Sequence, residues 1–402
     1  MITTVAYAAV SFLIAMVSSW VGSLIALRPL GRPPPVFWVD RARLAYPARL
    51  AAALNTIFLS IIAGVVGYGL YDKSANPPTG IDVAAMVIGA YVGGLIIVLC
   101  TEKRVRDTTF RSGSWISNLG FRLVLFSPHI FVLFATPQLL PDSLDFQAIV
   151  ILIAALLILA FGASGGGYMI ARWIRLARPA SPRLVDIVAE ATARTGIHAW
   201  AAYELKSSTA NAIAIPIWRR LVFTNTALET LTDAELTAVC VHELAHLNEP
   251  WILLTVRVIR GMLLFLPILV ASPVWHEFGG WGVYGLICGC LIAYLLTGRI
   301  PRRMEVRADA AGRTHEGEEG TYARALERLY EINLVPAVMP GKRRPHPHLY
   351  DRLITAGVPP SYPRPLPPSS DRRFVATLVT IAIALVLYGT MFKVLGGPVY
   401  FS

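Results

Sequence analysis

Long runs of apolar residues separated by short polar stretches dominate the chain. Eight of them lie near residues 5–27, 50–71, 83–101, 119–140, 147–171, 255–275, 279–298 and 374–395. At roughly 17–25 residues each, they are long enough to cross a bilayer as helices. No charged residue falls between Val83 and Cys100, or between Ala148 and Ala171. The fourth run is interrupted by Arg122, Pro128 and Pro137, and the sixth carries Arg257 and Arg260 in its first turns. Those two arginines are expected to snorkel to the interface. The first run follows MITTVAYA, which has no basic residue, and no small-residue cleavage site ends it. It is expected to be a retained span and not a signal peptide.

Two sizeable polar segments remain, 172–254 and 299–373. The first reads as a small α+β unit. SPRLVDIVAEATARTG has helical periodicity and stops at Gly196. HAWAAYEL, NAIAIPI and RRLVFT alternate as strands, the last two joined by a tight turn at Trp218. Thr232, followed three residues later by Glu235, is a capping-box signature that starts a helix ending before Pro250. The second segment opens with two helices, RRMEVRADAAGRTH and TYARALERLYEIN, and closes with a Pro-rich linker, VPPSYPRPLPPSS. The implied domains are a five-span region 1–171, an α+β part 172–254, a transmembrane hairpin 255–298, a helical part 299–373 and a last span with a short tail, 374–402.

Composition agrees with this pattern. Of 402 residues, 55% are hydrophobic and 15% charged, against ~25% charged in an average soluble domain. The net charge of +11 would suit a nucleic-acid partner, but its placement points to a membrane. Arg28, Arg32, Arg41, Arg43 and Arg49 follow the first span; Lys103, Arg104, Arg106 and Arg111 the third; Arg172, Arg175, Arg178 and Arg183 the fifth; Arg299, Arg302, Arg303 and Arg307 the seventh. The intervening loops hold Asp72, Lys73 and Asp82, then Asp142 and Asp145, then His276 and Glu277. This positive-inside alternation puts both termini outside and both polar segments in the cytoplasm. Four cysteines give no disulfide framework, and their expected role is packing. His129 and His198 read as structural.

Within the capped helix, CVHELAHLNEP contains His242, Glu243 and His246 as H-E-x-x-H. Two histidines four apart share one helix face and can pinch a metal, with the glutamate beside it. A catalytic zinc needs a third protein ligand and an open position. The metzincin extension is absent, because Glu249 and Ile252 stand where it needs Gly and His. Glu249 lies on the same helix, too close along the axis to complete a tetrahedron. His276 and Glu277 sit on a loop expected across the membrane. The first acidic residue back on the cytoplasmic side is Glu305, with Asp309 one turn later. Glu305 suits the third ligand. Asp309 suits an acceptor for the free N–H of a ligating histidine, fixing its tautomer.

VHELAHL and RRMEVRADAAG, separated by a transmembrane hairpin, resemble the integral-membrane zinc metallopeptidases that include HtpX and the type I CAAX prenyl endopeptidases. That family pairs H-E-x-x-H with a later E-x-x-x-D in an R-x-x-E-x-x-A-D context, which Arg302, Glu305, Ala308 and Asp309 match. SSTANAIAI resembles its N-A-x-x strand through Asn211 and Ala212, and PHPHLYDRL its H-P-x-x-x-x-R motif through His346, Pro347 and Arg352. Ala245 stands where the family often has Gly, and the last span belongs to neither subgroup's pattern.

With the eight apolar runs, the resemblance implies a multi-pass α-helical membrane protein, of about eight spans by hydropathy, carrying a cytoplasmic α+β zinc metallopeptidase domain of gluzincin type. His242, His246 and Glu305 would hold one Zn²⁺ per chain, Glu243 would act as general base, and Asp309 would support a zinc histidine. A strand through Asn211, Ala212, Ile213 and Ala214 would pair as an edge with an extended substrate. By resemblance, His346 and Arg352 are candidate donors to the oxyanion. The implied activity is endopeptidase hydrolysis (EC 3.4.24 type) of membrane or membrane-associated polypeptides, for quality control or processing, in a bacterial inner or plasma membrane or an endomembrane. Two other classes compete. A membrane sensor that signals by cleavage would be expected to carry a large outer domain, and the outer loops here are short. A scaffold or transporter with a degenerate protease core would lack the complete ligand set.

Overall fold

The computed structural model describes residues 2–31, 37–73, 79–106, 129, 132–133, 135–136, 139–141, 143–339 and 347–394. They form two compact units. The first holds helices α1 (Ile2–Leu27), α2 (Trp38–Lys73) and α3 (Gly80–Arg106), together with the C-terminal helix Asp371–Val394, which is α15 in chain order. Small residues let these helices approach closely, as apolar helices must where lipid gives no hydrophobic drive between them. A Cβ on Gly89 would lie 2.2 Å from the carbonyl oxygen of Ala8, and one on Gly93 2.4 Å from that of Phe12. Ala26, Ala45, Ala48, Ala51 and Ala376 fill one shared core. The buried Asn55 amide donates to Thr380 Oγ1 at 2.9 Å, tying α2 to α15. The final span, which the family patterns do not account for, is therefore an integral part of this bundle.

The second unit begins with α4 (Phe146–Ala163), capped by Asp145, whose carboxylate accepts from Ala148 N at 2.8 Å. A turn with Gly165 at φ 92° separates it from α5 (Gly166–Trp173). A four-stranded sheet follows, of β1 (Ala177–Pro179), β2 (Ala201–Leu205), β3 (Ala212–Ile215) and β4 (Arg220–Thr224), in the order β1-β2-β4-β3. Three of the strands match the alternating segments. β1 is too short to show an alternation of its own and is added antiparallel to β2. β2 and β4 are parallel, and β3 lies antiparallel to β4 at the sheet edge. The turn between them is Pro216–Trp218, with Arg219 at φ 46°.

Helices α6 (Pro182–Thr195), α7 (Asn225–Thr230) and α8 (Asp233–Leu247) come from the same α+β segment. Leu184, Leu221, Phe223, Leu236 and Leu244 are fully buried where α6 and α8 meet one sheet face. Tyr203, Leu205, Ile215 and Val222 cover the other face, with Tyr168 of α5 packed against them. Thr232 and Glu235 form the expected reciprocal cap on α8, at 3.3 Å and 2.8 Å.

The chain continues as α9 (Trp251–Met262), α10 (Leu266–Leu269) and α11 (Ala271–Leu296). The apolar run 255–275 is thus not one continuous helix. Pro267 and Pro273 lack the N–H groups a continuous helix would use, and Arg260 turns aside to stack over the Tyr294 ring at 4.0 Å. The kink of α11 is at Gly279, φ 62°. The last three helices are α12 (Arg299–Thr314), α13 (Thr321–Asn333) and α14 (Leu349–Thr355). Among the described residues, six helices are long and apolar enough to cross a membrane: Thr3–Leu30, Trp38–Gly69, Gly80–Arg106, Phe146–Ala163, Ala271–Thr314 and Asp371–Met391. The expected span at 119–140 falls largely outside the described residues.

Candidate active site

The site is assembled within the second unit from α8, α12, α13, α14 and β3. The i, i+4 spacing sets His242 and His246 on one face of α8, with ring centroids 4.9 Å apart and planes at 84°. α12 brings Glu305 against them. His242 Nε2 lies 3.7 Å from one Glu305 oxygen, and His246 Nε2 lies 3.7 Å from the other. One ligand atom from each residue falls within 4.8 Å of the others. Two features make this cluster fit a cation. The separations are too long for hydrogen bonds. They are also near the edge of a tetrahedron, roughly 3.3 Å, for metal–ligand bonds of about 2.0 Å. Three lone-pair donors converge on one point without bonding to each other. Zinc is the ion such a nitrogen and carboxylate set suits.

Behind His242 stands a network only partly expected. Asp309 Oδ1 lies 3.3 Å from His242 Nδ1. A closer partner is the Tyr322 hydroxyl, 2.6 Å from the same nitrogen. It donates in turn to Asp309 Oδ1 at 2.8 Å, and its ring stacks on the imidazole at 5.6 Å and 21°. Arg352 donates from Nη2 to Asp309 Oδ1 at 2.5 Å and to the Tyr322 hydroxyl at 3.2 Å. Arg352 therefore sits on the Nδ1 side of His242, buried against the carboxylate, while the metal-binding atoms face the Nε2 side. Gly312 makes room for this arrangement, since a Cβ there would stand 3.0 Å from the Tyr322 ring. His346 lies outside the described residues. Tyr322 is the member of this network that the sequence hid. It lies 13 positions beyond Asp309 in an amphipathic helix, where a tyrosine reads as core.

Glu243 faces β3. Its Oε2 accepts the backbone N–H of Ala214 at 2.7 Å. Burial pushes its carboxyl up to about 7; the nearby His242 and the Ala214 N–H pull it down, and Glu305 pushes it further up. Burial also drives His246 down to about 4, helped by His242 and opposed by Glu305. His242 differs. Burial works against its charge, but the hydrogen bond to Asp309 and the charges of Glu243, Asp309 and Glu305 raise it above its ordinary value.

The strand residues are placed as an edge. Asn211 N donates to Thr224 Oγ1 and Asn211 O accepts from Thr224 N, so this residue bonds inward to β4. By the alternation of an antiparallel pair, the backbone groups of Ala212 and Ala214 point outward, where the Ala214 N–H meets Glu243. Ile213 bonds inward. Glu249 stays outside the cluster. It is buried at the end of α8 with Arg307 at 3.6 Å. His276 and Glu277 face each other at 3.7 Å on α11 and also lie outside it.

Residues 180–357 match the model of the family described as Peptidase family M48. That stretch contains every element of the cluster. No curated protein and no solved structure matches the chain.

Proposed function

We propose that the chain, whose residues 180–357 match Peptidase family M48, a family of metallopeptidases, is a membrane-embedded, zinc-dependent endopeptidase acting on membrane or membrane-associated polypeptides at the cytoplasmic side. The observation that carries this reading is the convergence of His242, His246 and Glu305 donors beside a carboxylate, Glu243, that the edge strand itself orients. His242, His246 and Glu305 would hold one zinc ion. When bound, zinc polarises the scissile carbonyl and acidifies a water molecule.

The rest is the work of the chain. Glu243 takes the proton of the attacking water and passes it to the leaving amine. A value of about 7 suits both halves of that transfer near neutral pH. The Ala214 N–H fixes which way its carboxylate points. The outward backbone of Ala212 and the outward carbonyl of Ala214, flanked by Asn211 and Ile213, hold an extended substrate by strand addition. Tyr322, Asp309 and Arg352 hold His242 by its far nitrogen, so that Nε2 stays a lone-pair donor. The alternation of arginine-rich and arginine-poor loops supports the cytoplasmic side.

The test is Glu243→Gln in the full-length protein, with zinc content measured on the same sample. Peptide hydrolysis is expected to fall about 10²–10⁴-fold with one zinc per chain retained. Undiminished hydrolysis at full zinc content would remove Glu243 as the base.

A further inference from the structure

The edge strand ends where a membrane helix emerges. Ile215, the last residue of β3, packs on the turn that follows α4, since a Cβ on Gly165 would meet Ile215 Cγ2 at 2.6 Å. In the next turn of chain, Trp218 stands edge-on to Phe161 of α4, with centroids 6.4 Å apart and planes at 82°. Phe161 lies in the last turn of a helix apolar enough to cross a bilayer. The Pro216–Trp218 turn therefore sits beside the end of that helix.

Around this point the surface is apolar and aromatic. Ile217 is 45% exposed and Trp200 72% exposed. They are neighbours through Arg219, whose carbonyl accepts from Trp200 N at 2.7 Å. The Arg219 guanidinium donates to the carbonyl of His198 at 2.7 Å and reaches that of Leu247 at 3.5 Å. It thereby links this rim to the end of α8. α9 reaches the same end of α4 with its last turn, where a Cβ on Gly261 would meet Ala163 at 3.5 Å. Large amphipathic rings with an arginine, set where a span leaves the core, are the composition of the membrane interface.

We infer that Trp200 and Ile217, beside the Trp218–Phe161 contact, form an interfacial anchor whose partner is the headgroup layer of the bilayer. The anchor seats the exit end of β3 at the membrane surface. Resting on the peptidase reading above, it also sets the substrate class: polypeptide segments cut next to the point where they leave a membrane. An extended segment emerging from the bilayer meets β3 at its anchored end and runs along it towards Glu243.

Two measurements separate the anchor from the peptidase reading. Full-length protein with Cys100, Cys240, Cys288 and Cys290 replaced is spin-labelled at Trp200→Cys or Ile217→Cys in phosphatidylcholine nanodiscs. Ala234→Cys, exposed at the opposite end of α8, is the control. The anchor predicts oxygen-to-nickel-chelate accessibility ratios severalfold above the control at both sites. Ratios equal to the control would overturn it, as would sites closed to both probes, which would mean a second copy covers them. Catalysis plays no part in this readout. Mapping of new N-termini in native membranes, with active chain against Glu243→Gln, then tests the substrate class. Cleavage sites beside transmembrane segments are expected. Sites scattered through soluble domains would overturn that class. New termini that do not depend on Glu243 would sink the peptidase reading and leave the depth result standing.

Discussion

The chemistry of the site turns on which atom of His242 is left to donate. Its Nδ1 meets the Tyr322 hydroxyl at 2.6 Å, so the ring is held as the tautomer with Nε2 free for the metal. Tyr322→Phe removes that partner with little change of shape. Zinc affinity, measured by competition with a chelator, is expected to weaken about 10–100-fold with the fold intact. Unchanged affinity would show that Asp309 alone suffices. Glu243 gives a second prediction, read from the chelated protein. Its carboxyl is raised from 4.5 to about 7, so the folded chain holds a proton that the unfolded chain releases. That stabilisation is full below pH 4.5 and is lost as pH rises through about 7. The melting temperature of the chelated protein should fall over that window, and Glu243→Gln should flatten the fall. An identical profile in the variant would contradict the assigned burial. The pairings of His242 with His246 and of Glu305 with Asp309 were legible because i, i+4 spacing fixes which side chains share a helix face; that the two pairs meet was expected from loop topology and the family resemblance. Tyr322 was not, since its bond to His242 crosses between helices and no spacing rule reaches that far. Arg352 was legible as a motif residue, yet only the fold shows it gripping Asp309.

Among the elements, the ones with local signals were readable end to end. Ser181, whose hydroxyl caps the Leu184 N–H, and Gly196 at φ 69° bound α6. Thr232 with Glu235 starts α8. β3 was readable as a strand, but its position at the edge depends on β2 and β4 pairing in parallel past it, a long-range fact. The run 255–275 shows the converse failure. Its hydropathy says span, and hydropathy does not register where prolines remove helix hydrogen bonds. For helix packing the structure predicts a contrast between glycines of equal appearance in the sequence. Gly89→Leu drives a side chain into the backbone of α1 and should abolish or strongly reduce folded protein recovered in detergent. Gly285→Leu, on α11 with nothing within 4 Å of the added Cβ, should leave recovery unchanged. Similar behaviour of the two would refute the tight α1–α3 contact.

At the scale of the whole molecule, hydropathy and loop charge made the membrane class legible without any structure. The hydropathy is supported by six long apolar helices. What the sequence could not show is how the spans group. α15 joins α1, α2 and α3 through a buried Asn55 to Thr380 bond, whereas α4, α9 and α11 belong with the sheet and the metal cluster. The cluster is closed by residues separated by the α9 to α11 excursion, so metal binding depends on the second unit being folded as one piece. The proposed chemistry requires a single metal held by two imidazoles and one carboxylate. The decisive measurement is X-ray absorption at the zinc edge on the full-length protein in nanodiscs. One zinc per chain is expected, with a nearest shell of nitrogen and oxygen at about 2.0–2.1 Å including two imidazoles, and loss of the metal in Glu305→Ala. Sulfur in that shell, or a shell unchanged in Glu305→Ala, would contradict it.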